Sequence, residues 1–102
     1  MSIRSVNPTT GEVLETFTEI ATKELDGIVE DVHRAFLDWR RRPVKERAQA
    51  VGAAARVLRA KKQAHARTIA LEMGKPIVQG EGEVEKCASS CEFVNVKSVA
   101  IF

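Results

Sequence analysis

The spacing of apolar positions changes along the chain, and each change predicts an element. Ile3–Val6 and Glu12–Ile20 are short β-type runs on either side of Asn7-Pro8-Thr9-Thr10-Gly11. Pro8 presets φ at the second turn position, Asn7 caps the turn with its amide, and Gly11 accepts positive φ. This predicts a β-hairpin over residues 3–20, closed by a type I turn and a glycine bulge. From Leu25 the spacing becomes helical: Leu25, Ile28, Val29, Val32, Phe36 and Trp39 share one face of a helix over about 23–40. Thr22 is its expected N-cap, with Glu24 and Asp26 near the positive end of the dipole. Gly27 costs that helix ~1 kcal/mol relative to alanine, which the apolar face offsets.

Pro43 suits a first helical turn, and Gly74-Lys75-Pro76 suits a stop. Between them Ala48, Val51, Ala55, Leu58, Ala66, Ile69, Ala70 and Met73 recur at three- and four-residue steps, predicting a helix over 44–73. At ~1.5 Å per residue it would run about 45 Å. Such a rod either bends near Lys61–Lys62 or belongs to a body larger than this chain. A third helix, about 77–94, places Ile77, Gly80, Val84, Cys87, Ala88, Cys91 and Val94 on one face. Gly80 and Gly82 weaken its first turns, so a late or frayed start is expected. Past Phe93 the pattern fails, and residues 94–102 read as a β-branched, divergent tail with an apolar end. The expected fold is mostly α, with an N-terminal β-hairpin and three helices.

The hydrophobic fraction of 44% is that of a globular protein, but alanine supplies much of it around residues 53–70. Burying alanine removes little apolar area, so this helix face stabilises weakly unless a partner packs closely. A formal net charge of +2 is too small to imply a polyanionic partner, so no nucleic acid is expected. Arg40-Arg41-Arg42 reads as favourable charge at a helix C-terminus rather than a phosphate contact. The sequence has no span of membrane length and no basic-then-apolar leader. With two cysteines, this suggests reduced thiols and a cytoplasmic location.

No local constellation carries chemistry. Cys87 and Cys91 lie at i, i+4, a spacing unsuited to a disulfide and short of a zinc ligand set, so they read as small side chains in a helix seam. His33 and His65 sit among charged neighbours and read as surface residues. Gly80-Glu81-Gly82 lacks the lysine–hydroxyl pair and preceding strand of a phosphate loop. Glu81, Glu83 and Glu85 read as a solvated helix face.

Five stretches, in order and with matching gaps, carry a resemblance. They are Asn7-Pro8-Thr9-Thr10-Gly11-Glu12-Val13, Ala35-Phe36 with Trp39, Arg42-Pro43-Val44-Lys45-Glu46-Arg47, Leu71-Glu72-Met73-Gly74-Lys75-Pro76, and Glu83-Val84-Glu85-Lys86. Over about residues 3–93 the chain resembles the amino-terminal portion of NAD(P)-dependent aldehyde dehydrogenases, most closely the succinate-semialdehyde dehydrogenase branch. The resemblance implies an incomplete part of an α/β cofactor-binding domain, with residues 1–93 as the family segment. It implies a family reaction in which a cysteine thiolate attacks an aldehyde, hydride passes to nicotinamide, and a glutamate activates water. The family's catalytic cysteine and glutamate, oxyanion-stabilising asparagine and cofactor contacts match nothing in this sequence. The expectation is therefore no catalytic, cofactor-binding or metal residue here; NAD(P) and the aldehyde belong to a full-length parent, and this chain alone is inactive. The alternative expectation is a stand-alone helical interaction module, homodimeric through the Pro43–Met73 face.

Overall fold

The computed structural model describes residues 2–101. Strands β1 (Ser2–Val6) and β2 (Val13–Thr18) pair antiparallel, with Ile3 opposite Phe17 and Val6 opposite Val13. A register shift lies between Ser5 and Val6. The turn uses the expected residues but is one residue wider than a type I turn. Gly11 N donates to Asn7 O (2.8 Å), Asn7 N to Glu12 O (2.9 Å), and Thr9 N to the Asn7 side-chain oxygen (2.9 Å). Gly11 has φ +76°, the left-handed value that favours glycine.

Helix α1 spans Thr22–Trp39. Its N-cap is Ala21 rather than Thr22, and no side chain caps it. Helix α2 (Val44–Ala60) has Pro43 at its N-cap, and helix α3 (Lys62–Met73) ends at Gly74, whose φ of +68° makes the left-handed stop. The expected single helix over 44–73 is thus two, and the described residues form four helices, not three. The break falls at Lys61 (φ −107°, ψ 16°), where the bend was expected.

The remaining helix, α4, spans Ile77–Ile101. At about 37 Å it runs back along both α3 and α2. Two expectations about α4 change. It starts at Ile77 without delay, because Gly80 is buried against α3: a Cβ there would lie 3.1 Å from Ala66 O and 3.3 Å from Ala66 Cα. A glycine that weakens an isolated helix here permits a close helix crossing. The helix also continues past Val94, where the apolar period ends. Val94 and Ser98 line a groove with Val44, Ala48 and Val51 of α2, and Asn95 lies against Gly52. Tertiary packing on α2 therefore overrides weak local propensity.

The core is a seam of small residues: Ala48, Ala55, Ala66, Val84 and Ala88. The faces of α1 and the hairpin are open. The six large apolar residues on the α1 face are 40–63% exposed, as are Ile3 (57%) and Phe17 (48%) of the hairpin. The Cα radius of gyration is 17.8 Å, against about 13 Å for a self-contained chain of this length. The accessible surface is 7977 Å², roughly 2,200 Å² above that expected from its mass. The chain forms a thin slab with apolar flanks that it does not itself cover.

Candidate functional site

Polar side chains concentrate where α2, α3 and α4 meet. Arg59, in the last turn of α2, reaches across to α4 with its whole fork. Its Nε donates to Glu85 Oε1 (2.8 Å), Nη2 donates to Glu92 Oε2 (3.1 Å), and Nη1 donates to Glu92 Oε1. Lys62 Nζ adds a longer contact to Glu85 (3.8 Å). Glu85 and Glu92 are seven apart, so two turns of α4 bring both carboxylates to one guanidinium. The hydrogen bond from Arg59 holds the Glu92 carboxyl below its ordinary 4.5, despite desolvation acting the other way. The same two carboxylates push the Arg59 guanidinium above its ordinary value.

The sign for Glu92 is that of a depressed acid: its contribution is present above about pH 4.5 and is lost as pH falls through the lower folded value. Acid should therefore loosen the α2–α4 contact. Thermal midpoints of the wild-type chain should fall more steeply than those of Glu92→Gln as pH drops from about 5 to 3. Parallel slopes would remove Glu92 as the source.

A second polar group ties the α3–α4 corner to the hairpin. Ser5 Oγ donates to Glu72 Oε1 (2.6 Å), and Lys75 pairs with Glu83. A Cβ at Gly74 would lie 3.1 Å from Pro8 Cγ, so the hairpin loop rests on the glycine that ends α3. Glu83 and Glu85 are therefore ion-pair partners on a face that stays partly solvated, their side chains 48% and 43% exposed. The clamp escaped the sequence reading because its basic member lies on another helix. Its one legible trace was the seven-residue spacing of Glu85 and Glu92.

Cys91 is half-buried, but Cys87 is exposed, so only one thiol approaches the seam; Ala88 takes the innermost place. Both thiols are free. His33 and His65 are exposed, as expected. Among the described residues no three His, Cys, Asp or Glu side chains converge on a metal-sized site. Arg40 lies over the Phe36 ring (5.9 Å), and Arg42 lies over Trp39 (5.6 Å) and bonds Asp38 (3.3 Å), so two of the three arginines are engaged within the chain. An open apolar groove of about 440 Å³ is bordered by Trp39, Val44, Val51 and Val94, with Arg47 at its side. The Arg47 Nε–H donates to Arg42 O (3.2 Å) and so fixes the α1–α2 corner. No helix among the described residues is long and apolar enough to cross a membrane.

These features position helices; they do not assemble a nucleophile, a base and an anion stabiliser. The family model of the aldehyde dehydrogenase family matches residues 1–98. The chain belongs to the aldehyde dehydrogenase family. It is 36% identical over 93 residues to a succinate-semialdehyde dehydrogenase [NADP(+)] 1 of Mycobacterium tuberculosis, covering 91% of this chain and 20% of the relative. It is 38% identical over 85 residues to a succinate-semialdehyde dehydrogenase [NADP(+)] of Deinococcus radiodurans, covering 83% and 18%. A solved structure of Gox0499, studied for cofactor and substrate selection, superposes with a TM-score of 0.84 at 31% identity. It covers 91% of this chain and 21% of that one. The chain thus spans about a fifth of the length of the relatives it matches, and relative to them it is a fragment. The likeness to succinate-semialdehyde dehydrogenases stands as the sequence motifs implied.

Proposed function

We propose that this chain is the amino-terminal scaffold of a succinate-semialdehyde dehydrogenase-type enzyme, with catalytic groups and nucleotide carried by parts of the enzyme outside this sequence. The observation that carries this reading is the uncovered α1 face in a chain whose path follows an aldehyde dehydrogenase with a TM-score of 0.84. A helix that buries none of its own residues keeps its family position most readily when its apolar side is meant for a larger body. The family segment, expected over residues 1–93, is matched by the family model as far as residue 98. Residues 94–102 differ in sequence character, though α4 continues through them to Ile101.

The residues present do not fit NAD(P). Gly80 is the nearest approach to a phosphate-binding glycine, but its N–H bonds Pro76 O (3.1 Å) and its Cα side faces Ala66. Neither cysteine sits with a base and an oxyanion donor. The reading therefore expects no reduction of NADP+ or NAD+ by the purified chain with succinate semialdehyde, followed as reduced-nicotinamide absorbance. Measurable turnover would overturn it.

The second reading is self-association as a helical module, favoured by the same exposed α1 face. The Pro43–Met73 face proposed for pairing from sequence is not free. Ala48, Ala55 and Ala66, its inner positions, are buried, and α2 and α3 both pack on α4. Any pairing surface lies elsewhere.

A further inference from the structure

The slab and its uncovered faces are held by different contacts. Ala48, Ala55, Ala66, Val84 and Ala88 close the seam of α2, α3 and α4, and Arg59 ties α2 to Glu85 and Glu92 of α4. None of these groups lies on α1 or the hairpin, and α1 buries none of its own residues. The seam therefore closes within the chain, and the α1 stripe contributes nothing to it.

The stripe is built to meet another apolar surface. With successive residues about 100° apart, Leu25, Ile28, Val29, Val32, Phe36 and Trp39 fall within about 100° of arc. No charged residue interrupts them, and Lys23, Glu30 and Arg34 lie on the far side of the helix. The chain exposes roughly 2,200 Å² more than its mass requires, against the ~800 Å² per partner of a standard stable interface. Contact of that extent holds two bodies together without a peptide bond between them. The chain follows the path of an aldehyde dehydrogenase while covering 21% of it, which leaves about four-fifths of such an enzyme to occupy the surplus surface.

We infer that the α1 stripe and the hairpin are a self-sufficient docking surface. Through it this chain, as a separate polypeptide, assembles non-covalently with the remaining body of a succinate-semialdehyde dehydrogenase-type enzyme. This rests on the scaffold reading and adds that covalent continuity is not needed. The Mycobacterium tuberculosis relative, without the 93-residue segment that this chain matches, supplies the body. Co-expressed with the full chain, it should purify as an equimolar complex, whose dissociation constant follows from sedimentation over a dilution series. Val32→Asp sets an unpaired charge in mid-stripe and should weaken the complex at least about 100-fold. Glu30→Lys, on the far side, should leave it unchanged. Val32 is 63% exposed in the free chain, so far-UV circular dichroism of Val32→Asp should match wild type, which separates lost docking from misfolding. The chain fused to the same body by a peptide bond is the reference. If the fused form reduces NADP+ with succinate semialdehyde while the separate parts do not associate, this inference falls and the scaffold reading stands. A fused form without turnover, beside parts that do not associate, overturns both. A complex indifferent to Val32→Asp overturns the α1 stripe as the docking surface.

Discussion

Gly80→Leu should cost about 3 kcal/mol, the upper range for inserting bulk at a closed contact. Even the first added carbon would lie 3.1 Å from a carbonyl oxygen and 3.3 Å from a Cα, and both belong to the backbone of α3. Backbone cannot rotate aside as the end of a side chain can, so the further carbons of a leucine fit only if the two helices move apart. Separation would expose Ala66 and Val84, two of the few buried side chains. A chain of this size has a total stability of about 5 kcal/mol at the low end of the usual range. A urea titration should therefore show a transition displaced far to low denaturant, or no folded baseline. Gly80→Ala is the informative comparison. It gains ~1 kcal/mol of helix propensity and needs only a few tenths of an ångström of adjustment, so its midpoint should stay near wild type. If Gly80→Leu matched wild type, the close α3–α4 crossing would be wrong.

Val84→Ala should cost about 2 kcal/mol, from two buried methyl groups and the space they vacate. Val84 is 5% exposed and is the one core side chain larger than alanine. In a core built mainly of alanine, that loss is a large share of the apolar stabilisation. Chemical denaturation should show a lower midpoint with a slope near wild type, since the folded surface hardly changes. An unchanged midpoint would mean that the seam stabilises the fold less than its burial implies. Gly80 and Val84 lie one turn apart on α4, so the two substitutions together should depart from additivity.

The hairpin, α1 and the corner at Gly74–Pro76 were legible because each rests on local chemistry. Asn7 and Gly11 close the loop within their own turn, α1 declares itself by a periodic apolar face, and Gly74 adopts the left-handed stop that few other residues accept. The errors share a different cause. The late start expected for α4 and its expected end at Val94 both fail because of what α2, α3 and α4 do to one another. The Arg59 clamp belongs to the same class: its members are 26 and 33 residues apart in sequence. Of the face read by periodicity, Gly80, Val84 and Ala88 are buried and Cys91 is half-buried, whereas Cys87 at its margin is exposed. The margins of an apolar stripe this broad are set by packing rather than by spacing.

The sequence by itself determined the family likeness, the hairpin and the mostly helical character of the rest. These follow from side-chain type and from spacings within a few residues, where backbone geometry leaves little choice. Only the tertiary structure decided which glycine marks a crossing, that the long helix breaks rather than running straight, how far α4 runs and which apolar faces are left uncovered. Those outcomes depend on distances between segments remote in sequence, and packing at such crossings outweighs local preferences of a kcal/mol or less.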